Sequence, residues 1–382
     1  MSNTRIYLDN AATTPLDPEV KEAMMPYFET YFGNPSSIHT YGREARSAIE
    51  KSRKKVAELL STSPAQIIFT SGGTEADNMA LWGLVRSYNI KCIITSKIEH
   101  HAVLHSVEHI CKYCNITIRY VSLDNQGNVD LASLENILKE NENAIVSLMH
   151  ANNEIGNLTD IQAVGELCKK YKAFFHSDTV QTMGHYPFVL NQSPVNAIVG
   201  SAHKFHGPKG VGFLYASENT RIVPFVQGGA QERNMRGGTE NVASIIGMAK
   251  ALEIAYSNLD QNRKHIEELK RKLIELLKSN FQDIEFNGLC DDFEKSTYKV
   301  VSASFSNVEM ADMLLFSLDI KGIAVSGGSA CNSGALAGSH VLEALYGADN
   351  ERPAIRFSLS KFNTVDEIKF TIEALKQVLS KT

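Results

Sequence analysis

The apolar and polar positions along the chain fall into two regimes. From about residue 44 to 260, short β-rich runs alternate with longer amphipathic stretches: IIFT (67–70), CIIT (92–95), ITIRYV (116–121), AIVSLMH (144–150), AFFHSD (173–178), AIVGSA (197–202) and VGFLYA (211–216). That alternation predicts βαβ units and a mostly parallel sheet flanked by helices. Beyond it, NRKHIEELKRKLIELLKSNF (262–281) has helical period and reads as a connector. VVSASFS (300–306) and AIRFSLS (354–360) resemble strands and DEIKFTIEALKQVLS (366–380) a closing helix, which makes a smaller α+β unit. No Gly/Ser- or Pro-rich linker and no internal repeat divides the chain. Ligand sites in such chains sit where strand C-termini meet the other unit.

Composition narrows the classes. At 382 residues, with 43% hydrophobic and 21% charged side chains, the chain suits two domains around substantial cores. A formal charge of −5 leaves no electrostatic footprint for nucleic acid or an anionic membrane. MSNTRIYLDN has no apolar leader segment, so a soluble, cytoplasmic protein is expected. Its six scattered cysteines read as reduced thiols, and the lone Cys111/Cys114 pair as structural.

Five segments carry candidate chemistry. In SAHKFHGPKGVGFLY (201–215), Lys204 follows a buried strand away from any charge run, a setting for a desolvated amine able to form a Schiff base. In AFFHSDTVQ, Asp178 and Gln181 follow another strand; a lone Asp there is ordinarily a cap, but a buried carboxylate could face a pyridine nitrogen. IIFTSGGTEADNMAL (67–81) is strand, Ser71–Gly72–Gly73–Thr74, then a helix from near Glu75, an arrangement that can cradle a phosphate. It is neither a Walker motif nor a dinucleotide fingerprint. His100, His101 and His105 lack the partners of a zinc site, which leaves a ring-stacking, proton-moving imidazole as the alternative. Cys331, within VSGGSACNSG (325–334), lies among glycines and serines rather than apolar neighbours, as a reactive thiol would.

Together with YLDNAATTP (7–15), GNPSSIHTYG (33–42), EHHAV (99–103), MHANNEIG (149–156), RGGTEN (236–241) and IRFSLSKFNT (355–364), these segments resemble the cysteine desulfurases of the NifS/IscS type. These form part of the class V aminotransferase group of fold-type I pyridoxal-phosphate (PLP) enzymes. The resemblance implies a large PLP-binding domain (16–260) with a mostly parallel seven-stranded sheet. It also implies a smaller α+β domain (1–15 and 261–382) carrying the catalytic-cysteine loop. Lys204 would carry the cofactor, Asp178 pair with its ring nitrogen, Gln181 bond its phenolic oxygen and His100 stack on the ring. Gly73, Thr74, Ser201 and His203 would hold the phosphate, and Thr239 the phosphate of the partner subunit in a homodimer. Asn153 would contact both the cofactor ring and the substrate, and Arg356, helped by Asn34, would clamp the carboxylate of the substrate, L-cysteine. His100 would manage protons on the substrate thiol, and Cys331 would accept sulfur as a persulfide for an acceptor protein in iron–sulfur cluster assembly or tRNA thiolation. No resident metal is implied, although Cys331 could transiently ligate a cluster on a scaffold partner. Ser360 stands where the family usually has glycine, and the end at Thr382 suits a shorter NifS-like enzyme. Two rivals share the signature: a selenocysteine lyase or related β-lyase, and a non-catalytic sulfur-relay scaffold. Apart from the family, Arg356 reads as a solvated charge on an edge strand and Asn153 as a turn residue.

Overall fold

The computed structural model describes residues 5–305, 311–327, 338–347 and 353–379. All seven apolar runs become strands: β2 (Ile67–Thr70), β3 (Cys92–Thr95), β4 (Thr117–Tyr120), β5 (Ala144–Ser147), β6 (Phe174–Asp178), β7 (Ala197–Ser201) and β8 (Gly212–Ala216), after a short β1 (Ile6–Tyr7). They form one sheet in the order β2-β8-β7-β6-β5-β3-β4. β8 runs antiparallel to both β2 and β7, and every other pair is parallel. β2, β3, β5, β7 and β8 are buried along their whole length because helices cover both faces. Parallel strands share a direction, so the segments after β3, β5, β6 and β7 all emerge at one edge, where His100, Asn153, Gln181 and Lys204 lie.

A second sheet is antiparallel, in the order β12-β10-β9, built from β9 (Ile284–Phe286), β10 (Val300–Phe305) and β12 (Ala354–Ser358). β1 pairs in parallel with β11 (Ile323–Ala324), and bridges from Asp9 to Ser358 and from Ser326 to Arg356 tie both to β12. The N-terminal segment therefore belongs to this smaller sheet, and Ile6 and Leu8 lie in its core.

The expected connector is more than that. The helix Leu259–Asn280 buries Ile266, Leu269, Leu273, Ile274 and Leu277 against β10, β12 and the helix Val365–Leu379, supplying one wall of the second core. An apolar stripe at helical spacing is what such packing requires. Among the described residues no helix is long and apolar enough to cross a membrane.

Candidate active site

A cavity of about 270 Å³ opens at the C-terminal ends of the parallel strands. Its wall includes Gly73, Thr74, His100, Asn153, Asp178, Gln181, Ser201, His203, Lys204 and Arg356, so most of the sequence-nominated residues converge there. Asn34 and Thr239 do not. Asn34 is exposed, its Oδ1 accepting from Ser36 N–H at 2.9 Å. Thr239 lines a separate cavity of about 220 Å³ with Ser71, Gly210 and Arg236. Cys331 lies outside the described residues.

The helix Gly73–Ser87 starts at the cavity, two residues before the expected position near Glu75. Gly72 precedes it with a φ of +155°, and a Cβ on Gly73 would stand 2.7 Å from Val180 Cγ2. Gly73 and Thr74, at the start of this helix, line the cavity together with Ser201 and His203, an arrangement that can receive an anion. His203 is braced by the N-terminal segment: its ring bonds Thr13 Oγ1 at 3.1 Å, and its carbonyl accepts from Thr14 N–H at 2.9 Å.

Lys204 lies in the turn after β7, its Nζ donating to the carbonyls of Ala11 at 2.6 Å and Ala12 at 2.9 Å. Asp178 ends β6; burial raises its carboxyl above the ordinary range, while the Val180 N–H and the charge of Lys204 pull it back. Gln181 donates Nε2 to Ala11 O at 3.0 Å and leaves Oε1 buried without a partner.

His100 caps the helix His101–Cys114, its Nδ1 accepting from Ala102 N–H at 3.1 Å. That bond assigns the proton of the neutral ring to Nε2. Burial, reinforced by Lys204, His340 and His105, pushes its pKa down to about 4, so the ring is neutral at pH 7.

Arg356 is 2% exposed, which corrects the solvated-charge reading. β12 is an edge strand of its sheet, but the cavity wall and the N-terminal segment cover it. Its guanidinium donates to Asn153 O at 2.9 Å and Asp9 Oδ1 at 2.9 Å, and Nε is buried without a partner among the described residues. The Asn153 loop is itself set by Asn152, whose Oδ1 accepts from the N–H groups of Glu154 and Ile155 at 2.8 and 3.0 Å.

Several wall residues escaped the sequence reading: Ala11 and Ala12, Asp77, Glu154 and His340. Asp77 had a signal, one helical turn after Gly73 on the same helix face. His340 had none, since only the fold brings it to His101, at 4.4 Å between ring centroids. The orphaned Gln181 Oε1 and Arg356 Nε, the open helix end and the buried carboxyl fit a planar, phosphorylated pyridine aldehyde and an anionic amino acid. Among the described residues no group of three or more His, Cys, Asp or Glu side chains is gathered as for a metal.

Residues 6–370 match the model of the aminotransferase class-V family. The chain is 43% identical over 379 residues to the cysteine desulfurase IscS of Dictyoglomus turgidum, covering 98% of this chain and 95% of that one. It is 40% identical over 381 residues to the putative cysteine desulfurase IscS 1 of Bacillus subtilis, covering 99% of each. A solved NifS-like protein shares the fold with a TM-score of 0.91 at 37% identity, covering 99% of this chain and all (100%) of that one.

Proposed function

The chain belongs to the class-V aminotransferase family and is a cysteine desulfurase; from that premise we propose that Lys204 holds pyridoxal phosphate and that Cys331 receives the sulfur of L-cysteine. What supports this most is one cavity shared by an amine (Lys204), a buried carboxyl (Asp178), a helix N-terminus (Gly73, Thr74) and a guanidinium (Arg356). Bound there, pyridoxal phosphate supplies an electron sink for the pair left on a substrate carbon when a bond to it breaks.

The protein's own groups then divide the work. Gly73, Thr74, Ser201 and His203 would bind the phosphate, Asp178 would hold the ring-nitrogen proton, and Gln181 would lie against the phenolic oxygen. Arg356 orients the substrate carboxylate with Asn153 beside it, its guanidinium plane fixed by Asp9. Lys204, once released to the free amine, moves the proton from the substrate Cα. His100 presents Nε2–H toward the sulfur, because a proton taken up by the ring would have to break the Nδ1 cap. The Cys331 thiolate attacks that sulfur: an S–S bond forms, the substrate C–S bond breaks and its electron pair stays on carbon. Protonation there, with Lys204 returning the proton to Cα, gives L-alanine, and the persulfide passes to an acceptor in iron–sulfur assembly or tRNA thiolation.

A cytoplasmic homodimer completes the reading, with residues 16–260 as the cofactor domain and 1–15 plus 261–382 as the cysteine-bearing one. Asn34 and Thr239, both away from the cavity of their own chain, would serve the partner's site. The exposed Phe28 (60%), Phe32 (68%) and Ile38 (91%) around Asn34 suit a protein–protein face.

Sulfur-labelled cysteine given to the holoenzyme tests this. Label should appear on wild type with equimolar alanine and vanish in Cys331→Ser, whereas Lys204→Ala should be colourless and inert. A Cys331→Ser enzyme that desulfurates cysteine at the full rate would overturn the role of Cys331. Retained turnover of selenocysteine alone would point to the lyase.

A further inference from the structure

Beneath the cavity lies a group of buried polar side chains that the reaction above does not use. Asp77 is 1% exposed and lines the cavity wall, yet its Oδ1 has no hydrogen-bond partner. It stands 3.3 Å from Nε2 of His176, which is fully buried and equally without a bond at that atom. On the far side of the ring, Nδ1 of His176 is 2.9 Å from Ser147 Oγ. Ser147 and His176 are register partners on β5 and β6, and His176 is two residues before Asp178, so the imidazole and that carboxyl leave the strand on the same face. The line Ser147–His176–Asp77 therefore runs under the floor and ends beside the carboxyl assigned to the ring nitrogen.

Charge decides what this line holds. Burial, with Asp178 and Glu99 adding repulsion, raises the Asp77 carboxyl well above its usual range, and burial drops the His176 imidazole to about 3. Glu99, which accepts from Ser96 Oγ at 2.8 Å and Met149 N–H at 3.1 Å, is pushed up to about 8, chiefly by burial. Three carboxyls that repel one another in a dry space cannot all ionise. Asp178 differs from the other two in having the charge of Lys204 drawing it toward ionisation.

We propose that Asp77 and His176 are a positioning pair for Asp178: a protonated Asp77 hydrogen-bonds through its O–H to His176 Nε2, the neutral imidazole keeps its proton on Nδ1 and hydrogen-bonds it to Ser147 Oγ, and this uncharged line leaves Asp178 as the carboxylate facing the ring nitrogen. The inference rests on the assignment of Asp178 to the cofactor's ring nitrogen. Asp77 and His176 act through Asp178 and touch no reacting atom. The imidazole fixes the Asp178 rotamer by packing, and the neutral Asp77 keeps a second negative charge from competing for the ring-nitrogen proton.

Borohydride trapping on wild type comes first: no cofactor on Lys204 would sink the functional assignment itself, separately from this proposal. The holoenzyme is then compared with Asp77→Asn, Asp77→Leu and His176→Phe by cofactor Kd and by the pH midpoint of the visible band of the lysine-bound chromophore. Asn keeps an uncharged donor to Nε2, so Asp77→Asn should stay within about twofold of wild type in Kd, with its midpoint unmoved. Asp77→Leu and His176→Phe should each weaken cofactor binding about tenfold and shift the midpoint by about half a unit or more. If Asp77→Asn moves the midpoint as far as Asp77→Leu, Asp77 acts as an anion and the proposal is wrong. If His176→Phe lowers only the melting temperature, the pair is merely structural, which also overturns it. Should His176→Phe not fold, the contrast between the two Asp77 variants still decides.

Discussion

Two sheets meet at the cavity and contribute to it in opposite ways. The seven-stranded sheet delivers its groups from loops at strand ends: His100 after β3, Asn153 after β5, Asp178 and Gln181 at and after β6, Lys204 after β7. The three-stranded antiparallel sheet delivers Arg356 from the middle of β12, held by Asp9 and the Asn153 carbonyl. Parallel strands gather loops at one edge without special pairing, whereas an antiparallel strand must bury a charged side chain in its own span and supply counter-groups from elsewhere in the chain. The first arrangement places its groups by strand order; the second depends on a few contacts made within the strand's own span.

The most severe break of that contrast is Arg356→Lys. A lysine keeps the charge but loses the fork that binds Asp9 and Asn153 O and that is proposed to clamp the substrate, so KM for cysteine should rise about 30- to 100-fold, equivalent to about 2–3 kcal/mol. Steady-state kinetics reads it, and a KM within threefold of wild type would remove Arg356 from the substrate site. Next in size is Gly73→Ala in the other sheet's territory. The new methyl meets Val180 Cγ2 at 2.7 Å, so the helix start must shift, and cofactor Kd should rise about tenfold. Adding Val180→Ala should recover most of it; a double variant as weak as the single one would mean that the close approach is not the cause.

The same contrast explains what the sequence could convey. All seven strands of the large sheet were legible within a few residues because each is a short apolar run bounded by turns, and the residues after them form compact motifs. Lys204, Asp178 and His100 inherit their place from local order. Arg356 was locally unreadable: one charged residue in an apolar run looks like an edge position, and only the bridge to Ser326 and the pairing of Ser358 with Asp9 bury it. The helix Leu259–Asn280 looked like a connector because its apolar stripe does not say what it packs against. Asp77 and His176 stood in plain sight within recognised motifs, but their 3.3 Å approach joins a helix to a strand about a hundred residues away along the chain (residues 77 and 176) and has no local signature.

Acid should separate the two regions by a smaller margin. His100, His150, His203 and His206 are each held down to about 4, chiefly by burial, and all lie in the part of the chain that builds the larger sheet. An unfolded histidine binds its proton near pH 6.5. The unfolded state thus takes up protons first, and stability present above pH 6.5 is lost as pH falls toward 4. Glu99 works in the other sense: its folded-state pKa of about 8 makes its contribution fully present below the unfolded value of 4.5 and lost as pH rises through 8. With the histidines more numerous, the apoprotein's Tm should fall between pH 6.5 and 4. Trp82, the single tryptophan, sits in the helix Gly73–Ser87, so its fluorescence should change before far-UV circular dichroism does. Coincident transitions would mean that the two regions unfold as one unit.

The smallest effect concerns a cation in the smaller region. Lys299, just before β10, is 1% exposed, and its Nζ has no hydrogen-bond partner. Burial drives its pKa well below the usual lysine value, and Lys204 and Arg356 add repulsion. Breaking a salt bridge usually costs stability because a buried charge is left behind; here no partner among the described residues would be stranded, so replacing the amine with a thioether of similar length should be favourable. Lys299→Met should raise stability by about 1–2 kcal/mol and Tm by a few degrees. The sign of its pH dependence follows from the depressed folded-state pKa. Wild type has the lysine's full contribution above the unfolded value near 10.5 and loses it as pH falls through the folded value, so the advantage of methionine should be larger at pH 6 than at pH 10. A variant less stable than wild type at both pH values would show that the amine is paired in solution. The smaller sheet's dependence on fixed polar contacts would then extend beyond Arg356 to its neighbour, and the contrast with the loop-built wall would be deeper than Arg356 alone implies.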